Sequence, residues 1–455
     1  MCDFKCRWLF PLVVFQCYLT ICLVLFFWGP WGWDVNDPFR LVAYLLAAQV
    51  FIFVGYILGW GSVSKREMSS FDTLESLNYI DWCLLIALLL LLPTSLSRTG
   101  ALYPDAIAGL ANSGAAYNQN YARLEHGNPF VFVEYLRVFL SVFLASVFPL
   151  MVVYWGRLNL LRRSFSVFVV LTTLLTYIAT GTNKGFADFV ISLPFLIVLG
   201  VWSGNIKLKI GRKALGAILF IFFLAFLVFF GAGQKQRAGG VGENGVFNTG
   251  SYLLEADRNS GLSKFLGENS VIIYESLTRY IGQGYYALSM SFDLETTSTF
   301  GFGNSMFFAR NANSIFGTDH FTSGSIPGVL EEETGWGMMT LWHSIYPWMA
   351  SDFGFVGALF VLCGFSYILS VSWGLSLKNK GPLWVVMNYF MIILFFYIPA
   401  NNQIFQTAET AVAFVFLFVR LFVFNNRKLV LFGVKSVHLY RHSRVSAKNR
   451  GGGAI

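Results

Sequence analysis

The segment LLTYIATGTNKGFADFVISLPFLIVLG, residues 174–200, places one ammonium group, that of Lys184, between two apolar runs. Each run is long enough to belong to a membrane-spanning helix, because an α-helix needs roughly 17–25 apolar residues to cross about 30 Å of hydrocarbon. The segment therefore predicts two helices joined by a turn at one membrane surface. A charge at that depth is costly, so Lys184 is a candidate functional residue.

The composition of the whole chain is that of a polytopic integral membrane protein. Of its 455 residues 56% are hydrophobic and 18% are aromatic, whereas only 12% are charged. A soluble domain has no interior large enough to bury so much apolar surface. The predicted fold class is all-α, because a backbone inside lipid must satisfy its own hydrogen bonds and the alternating pattern of a membrane barrel is absent. About ten (10–12) transmembrane helices are predicted, near residues 8–28, 39–60, 80–97, 130–155, 164–181, 186–202, 214–231, 353–374, 383–399 and 408–424.

Positive charges concentrate in every second connection between these runs. Since short positive loops resist translocation, the connections that carry them are predicted to face the cytoplasm, together with both termini. The net charge of +8 follows from this orientation and from attraction to anionic lipid, and no nucleic-acid partner is predicted. The positive residues on the inner side are Lys5, Arg7, Lys65, Arg66, Arg157, Arg162, Arg163, Lys207, Lys209, Arg212, Lys213, Lys378, Lys380 and the basic residues of the tail.

This topology divides the chain into four parts. Residues 1–230 hold helices 1–7 with a short outer loop near 98–128, 231–345 form a long outer loop, 346–426 hold helices 8–10, and 427–455 form a basic cytoplasmic tail. A connection as long as the third part usually carries function. Its segment SVIIYESLTRYIGQGYYALSMSF is predicted to be an amphipathic helix lying on the membrane face.

Several cations fall on the outer side of this topology. Lys184 lies at a turn between helices, Arg237 lies just beyond the seventh helix, and Arg279 and Arg310 lie in the long loop. The planar fork of Arg and the point charge of Lys both suit phosphate oxygens, so the group predicts a site for a phosphate-bearing lipid headgroup. Each cation can also be read as a snorkelling or solvated side chain, and that interpretation is favoured for Arg98.

A second group of polar residues stands in TLWHSIYPWMASDFGFVGALF, residues 340–360. His343 is a good proton acceptor near neutral pH. Asp352 can either cap the following helix or orient the His, and the cap is favoured. Gly354 and Gly357 allow close helix packing. The preceding acidic turn contains Glu333, a further candidate base.

Two motifs resemble a known family. HSIY at 343–346 with DFGFVG at 352–357 resembles the His-Asn-x-Tyr and Glu-x-Gly-x-x-Gly signature of O-antigen ligases and Wzy-type oligosaccharide repeat-unit polymerases. TGTNKG at 180–185 is similar to their Thr-Gly-Ser-Arg-Gly turn, with Lys184 in place of Arg. Such motif matches cover roughly the last three-fifths of the chain. Ser344 and Asp352 also depart conservatively from the signature, and the aromatic loop is more like that of the polymerases.

The resemblance implies a GT-C-like, metal-independent, inverting glycosyltransferase that uses no cofactor. It would polymerise undecaprenyl-diphosphate-linked oligosaccharide repeat units into O-antigen or a similar surface polysaccharide, at the periplasmic face of the bacterial inner membrane. Its partners would be the lipid-linked oligosaccharide, the bilayer, a chain-length regulator and a flippase. The alternatives are an O-antigen ligase, which transfers the glycan to lipid A-core, and a lipid-linked sugar flippase or transporter. The latter requires charges inside the spans, such as Glu134, Arg137 and Asp188.

The resemblance also implies roles for the candidate residues. Fixed cations would stabilise the leaving diphosphate, and a base would accept the proton of the attacking hydroxyl. Aromatic rings would stack on sugar faces, although an interfacial aromatic belt explains them equally well. The diphosphate-binding candidates are Lys184, Arg237, Arg279 and Arg310. The catalytic candidates are His343, followed by Glu333 and Asp352. The sugar-binding candidates are Tyr285, Trp336 and Trp342.

We predict from this topology that a reporter fused near Asn304 is periplasmic and that one near Lys207 is cytoplasmic. The physical reason is that the positive connections stay on the cytoplasmic side. Alkaline phosphatase and fluorescent-protein fusions at the two positions measure the two sides. The reverse pattern would place the candidate site in the wrong compartment for a periplasmic glycan.

Overall fold

A computed structural model describes residues 4–65, 73–125, 127–207, 211–236, 245–250, 252–295 and 297–424. This part of the chain is almost entirely helical, which confirms the all-α class. Its first ten helices are α1 (Phe4–Trp28), α2 (Pro38–Lys65), α3 (Thr73–Thr99), α4 (Ala106–Ala111), α5 (Ser113–Glu125), α6 (Val131–Phe139), α7 (Ser141–Val153), α8 (Leu160–Ala179), α9 (Lys184–Trp202) and α10 (Arg212–Gln236).

A small antiparallel hairpin follows, with Phe247 paired to Leu254 at its centre. The remaining elements are β1 (Val246–Asn248), β2 (Leu253–Glu255), α11 (Gly261–Ser291), α12 (Met306–Phe316), α13 (His320–Ser323), α14 (Ile326–Thr334), α15 (Ile345–Leu377), α16 (Pro382–Tyr397), α17 (Gln403–Gln406) and α18 (Ala408–Phe418). A 3-10 turn covers Trp155–Arg157, and a π-helical turn, Val419–Val423, extends α18.

All ten predicted apolar runs are helical, but fewer helices meet the length and hydropathy of a membrane span. Six do so in the described part of the chain: α1, α2, α3, α8, α9 and α15. The pair α6 and α7, bent by 64°, makes a seventh when it is counted as one span. The apolar stretch of α10 and the whole of α16 are shorter. The class of polytopic membrane protein is therefore confirmed, whereas the count of ten spans is not.

The centre of the bundle is the pair formed by α2 and α15, which pack together more extensively than any other two described helices. A Cβ atom at Gly55 of α2 would lie 2.0 Å from the carbonyl oxygen of Cys363 of α15, so only glycine permits this approach. The hydroxyl of Ser366 donates to the carbonyl of Ile52 at 2.6 Å. Small residues and interhelical hydroxyl bonds are typical of packing between membrane helices.

The helix ends that the positive charges assign to the cytoplasm lie together at one end of the bundle. Arg7 donates to the carbonyl of Trp202 at 3.3 Å, and the ammonium group of Lys378 donates to the carbonyl of Val63 at 2.6 Å. Lys184 lies at the opposite end, together with Arg98 and Tyr177 near the ends of α3 and α8. The grouping of the ends agrees with the predicted topology, and the side of the membrane stays a prediction.

The region predicted as a long outer loop contains a buried helix. α11 packs against α1, α2, α10, α14 and α15, and Ala287 and Leu288 are fully buried. It is thus packed inside the protein and does not lie along the membrane face as predicted. Gly284 makes this possible, because a Cβ atom there would lie 2.1 Å from the carbonyl oxygen of Pro399. The carboxylate of Glu275, buried on α11, is neutralised by Arg258 through contacts of 2.7 and 2.8 Å.

The DFGFVG motif lies inside α15 and shapes it. Asp352 is seven residues beyond the first residue of α15 and does not cap its start. Its carboxylate accepts hydrogen bonds from the Thr299 hydroxyl, from Gly301 N at 2.8 Å, and from the backbone and side-chain nitrogens of Asn304 at 2.9 and 2.8 Å. Gly354, with φ of 66°, then breaks the helical backbone. Asp352 therefore ties the preceding loop to the helix just before its kink.

Gly354→Ala should destabilise the protein. Its backbone region is one that L-residues rarely adopt, and occupying it costs on the order of 1–3 kcal/mol. The matched control is Gly364→Ala in the same helix, where an added Cβ atom meets nothing within 4 Å. We expect the thermal unfolding midpoint of detergent-solubilised protein to fall for Gly354→Ala only. Equal midpoints for the two variants would contradict the strain at the kink.

Candidate functional site

Lys184 lines a cavity of about 230 Å³ between helices α3, α6, α7, α8, α9, α16 and α18. Most of the wall is apolar, with side chains such as Leu90, Leu144 and Phe390. The charged residues of the wall are Arg98, Arg137, Lys184, Asp188 and Glu409. The cavity therefore has an apolar interior between helices of the bundle and a cluster of charged residues at the end where α9 begins.

The turn between α8 and α9 holds Lys184 in this wall. Gly181, with φ of 62°, ends α8, and a Cβ atom there would lie 2.2 Å from the carbonyl oxygen of Ser113. Lys184 is then the first residue of α9, and Asp188 follows one turn later on the same face. The Asp188 carboxylate interacts electrostatically with Lys184 and with the phenol of Tyr397. Within the described residues its Oδ1 atom has no hydrogen-bond partner.

Two arginines share one carboxylate at the same end of the cavity. Arg137 forms a two-point pair with Glu409, at 3.0 Å from Nε to Oε1 and 2.9 Å from Nη2 to Oε2. Arg98 contacts Glu409 at 2.6 Å and Glu134 at 3.2 Å. Arg137 also donates to the hydroxyl of Thr94 at 2.8 Å. We call Arg98, Arg137, Glu134 and Glu409 the ion-pair cluster, and it joins α3, α6 and α18.

The ion-pair cluster corrects the interpretation of Arg98 as a solvated residue. Its side chain is 27% exposed and lies between two carboxylates, so it is neither free nor snorkelling. The site predicted from the sequence does not include Glu409, although a charge inside the apolar run 408–424 is the kind of signal that marks a functional residue. Glu134 and Arg137 carry the same signal, as charges that a transporter would require inside its spans. Their grouping with Lys184 is visible only in the folded chain.

The other predicted phosphate ligands are elsewhere. Arg279 is 4% exposed, and its guanidinium carbon lies 4.9 Å from the ring centroid of Phe247 and 5.2 Å from that of Tyr280. Arg310 is exposed on α12, and Arg237 lies outside the described residues. Of the described part of the chain, neither Arg279 nor Arg310 lines the cavity. Lys184 is thus grouped with Arg98 and Arg137 and not with the cations predicted to join it.

His343 is enclosed by protein and has 0% exposure. Its Nε2 atom lies 3.3 Å from the carbonyl oxygen of Gly337, and burial lowers its pKa to about 4. The next residue, Ser344, has φ of 54°, and its backbone nitrogen donates to the carbonyl of Ala400 at 2.9 Å. HSIY therefore pins the start of α15 to the turn after α16. A sugar hydroxyl does not reach the imidazole in this conformation.

The remaining catalytic candidates are not placed together either. The oxygens of Asp352 are occupied by the loop that it ties down, as described above. Glu333 is exposed near the end of α14. His343, Asp352 and Glu333 thus have three different surroundings: closed core, a saturated hydrogen-bond network and open surface.

One of the three sugar-stacking candidates lies near the cavity. Tyr285 and Trp336 are 1% and 2% exposed, so their faces are covered by protein. Trp342 is half-buried and stacks on Tyr397, with ring centroids 6.2 Å apart and an interplanar angle of 4°. Because Tyr397 also interacts with Asp188, Trp342 is connected through one ring to the charged wall of the cavity.

Comparison of the chain with protein-family models, with curated proteins and with solved structures gave no match. Over the described ranges, no group of three or more His, Cys, Asp or Glu side chains is arranged to hold a metal ion. The cavity and its charges are therefore the basis for a functional proposal.

His343→Gln should reduce the pH dependence of stability. The pKa of His343 is about 4 in the folded protein and 6.5 in the unfolded chain. Between these two pH values the unfolded state therefore binds more protons than the folded state. The free energy of unfolding therefore falls as the pH falls from about 6.5 to about 4. We expect the thermal unfolding midpoint to fall more steeply over this window for the wild type than for His343→Gln. Parallel curves would contradict a buried, neutral imidazole.

Proposed function

We propose that the protein is a glycosyltransferase that polymerises undecaprenyl-diphosphate-linked oligosaccharide repeat units at the periplasmic face of the bacterial inner membrane. Its product would be O-antigen or a similar surface polysaccharide. One observation carries the proposal: Lys184, Arg98 and Arg137 line a single cavity whose wall is mostly apolar and is formed by helices of the bundle. A diphosphate attached to a lipid needs both of these surroundings, cations for its oxygens and hydrocarbon for its chain.

The proposed reaction transfers the glycan with inversion and without a metal. A hydroxyl of the acceptor sugar forms a bond to the anomeric carbon, and the bond from that carbon to the diphosphate breaks. The diphosphate leaves with its lipid, and the proton of the hydroxyl passes to a base. Fixed cations aimed at the leaving group stabilise the charge that develops on it, and Lys184 is the central one. The GT-C-like class is part of this proposal and rests on the motif resemblance.

The side chain best situated to accept the proton is Asp188. It lies one helical turn from Lys184 in the cavity wall, whereas His343 is enclosed by protein. Its Oδ1 atom is buried and has no hydrogen-bond partner in the described part of the chain, so its capacity to accept a hydrogen bond is unused. Diphosphate bound to Lys184 would weaken the electrostatic attraction between that ammonium group and Asp188. Trp342 is the candidate for stacking on the sugar.

A second candidate function, a lipid-linked sugar flippase or transporter, draws on the same cavity. Charged side chains inside a membrane bundle mark pathways for polar substrates as well as catalytic sites. The two functions differ in where the lipid-linked repeat unit accumulates when the protein is lost. A polymerase mutant leaves single repeat units on the periplasmic side, and a flippase mutant leaves them on the cytoplasmic side.

The experiment that tests the proposal is a gene deletion followed by electrophoresis of lipopolysaccharide. A core that carries one repeat unit indicates the polymerase. Core without O-antigen, with polymer retained on the carrier lipid, indicates the ligase alternative. Normal long chains in the deletion strain would contradict both activities.

Substitutions of Lys184 in the complemented strain should show whether its charge is needed. Lys184→Arg should keep much of the polymer, because the positive charge is retained. Lys184→Ala and Asp188→Asn should lower polymerisation by on the order of 10²-fold, the usual scale for losing one charge-stabilising or proton-transfer group. Polymerisation of purified lipid-linked repeats measures the rate, and immunoblotting measures protein abundance.

Lys378→Ala is the matched control, because this lysine lies at the other end of the bundle, where its ammonium group donates to the carbonyl of Val63 and lies over the ring of Phe4. It should polymerise normally. Wild-type rates from Lys184→Ala at wild-type abundance would mean that Lys184 is an anchor at the end of a span and that the proposed site is wrong.

A further inference from the structure

Glu409 occupies the position that an anionic ligand of the two arginines would take. Its carboxylate oxygens lie 2.6 Å from Arg98 and 2.9–3.0 Å from Arg137, and all three residues line the cavity. Arg recognises carboxylate and phosphate with the same planar fork of donors. The residue that blocks these forks is therefore chemically similar to the phosphate group of the proposed substrate.

The charges of the cavity wall are balanced without any ligand once Glu134, which pairs with Arg98 beside the wall, is included. Arg98 and Arg137 face Glu134 and Glu409, and Lys184 faces Asp188, so three positive charges meet three negative ones. A diphosphate adds at least two negative charges to this set. Binding it in a partly desolvated place is favourable only when a carboxylate withdraws from the cations, because like charges at close range repel strongly.

The ion-pair cluster is accessible enough for such an exchange. The side chains of Arg98, Arg137 and Glu409 are 27%, 12% and 26% exposed, so the pairs are partly buried but not sealed. Glu409 lies in the first turn of α18, directly after the connection from α17. Its side chain belongs to a different helix from either arginine, so it can move away while α3 and α6 keep the guanidinium groups in place.

A second observation points to a ligand in the same cavity. Ser141 begins α7 at the bend that follows Arg137, is 2% exposed and lines the cavity. Its hydroxyl oxygen has no hydrogen-bond partner among the described residues. Buried hydroxyl groups usually have a partner, so a polar group of a bound molecule is the natural one here.

We propose that Glu409 is an internal stand-in for the ligand's phosphate and that Arg98 and Arg137 bind the diphosphate headgroup after this carboxylate is displaced. The inference rests on the proposed function for the identity of the ligand. In the free protein Glu409 occupies the donor groups of the two arginines, so that other anions cannot bind them. In the complex the headgroup replaces Glu409 on both guanidinium groups, with the Ser141 hydroxyl as a further donor. Glu409 thereby sets how tightly the lipid diphosphate binds.

The test measures binding to the full-length protein in detergent or nanodiscs, with farnesyl diphosphate as the probe. Glu409→Gln keeps the shape of the side chain and removes the competing charge, so we expect binding on the order of tenfold tighter than for the wild type. Arg137→Gln removes a donor fork and should weaken binding on the order of tenfold or more. Farnesol, which lacks phosphate, should bind equally to all variants.

Inorganic pyrophosphate identifies the source of the phosphate groups. Tighter binding of farnesyl diphosphate than of pyrophosphate assigns the site to a lipid headgroup, and equal binding assigns it to the free anion. In both cases the gain from Glu409→Gln supports the exchange.

Asp81→Asn is the matched control. Asp81 forms a two-point pair with Arg162, with both contacts at 2.7 Å, at the other end of the bundle. Breaking it should leave the affinity for farnesyl diphosphate unchanged. Thermal unfolding midpoints show which variants are folded. If Glu409→Gln does not fold, Glu134→Gln, which removes the more distant carboxylate partner of both arginines, should tighten binding by a smaller factor.

The outcomes separate this inference from the function on which it rests. Unchanged or weaker binding in the folded carboxylate variants would overturn the exchange. If the wild type still binds farnesyl diphosphate and Lys184→Ala does not, the proposed function stands without it. Absence of farnesyl diphosphate binding in every folded variant and in the wild type would overturn both.

Discussion

The carboxylate of Glu409, shared between Arg98 and Arg137, is the contact on which the arrangement of the cavity depends. These three residues come from α18, α3 and α6, which are distant in sequence and are joined at this point by charge. In a mostly apolar bundle an unpaired ion is expensive, so each of these charges requires the others nearby. The pairing thereby brings three helix ends together around the start of α9, where Lys184 lies.

The same requirement explains how the rest of the bundle accommodates its polar groups. Glu275 is fully buried on α11 and is paired with Arg258 next to the hairpin. Asp352 takes its hydrogen bonds from the loop before α12. The ion pair of Glu275 and the ring contacts of Arg279 allow these two charged residues to lie on a helix packed inside the protein. Some polar residues of this chain therefore connect structural elements and do not face a ligand.

The two motifs that resemble polysaccharide polymerases have different structural roles. TGTNKG forms the turn that places Lys184 in the cavity wall. HSIY and DFGFVG lie at the start of α15, where one pins the chain to the turn after α16 and the other bends the helix. Next to this second region, Trp342 stacks on Tyr397, which in turn interacts with Asp188 in the cavity wall. In the proposed reaction HSIY and DFGFVG would position the helices, and the residues of the cavity wall would bind and react with the substrate.

The sequence by itself determined the helical membrane class, because apolar runs of sufficient length have few other stable structures in lipid. It also identified Lys184 as a candidate, because a charge between two apolar runs can be recognised from the sequence alone. Only the tertiary structure decided which charges meet Lys184. Arg98, Arg137 and Glu409 come from separate helices, and the spacing along a chain carries no information on which helix ends become neighbours. The burial of α11 likewise depends on close contact between Gly284 and Pro399, a contact between distant segments that no periodicity encodes.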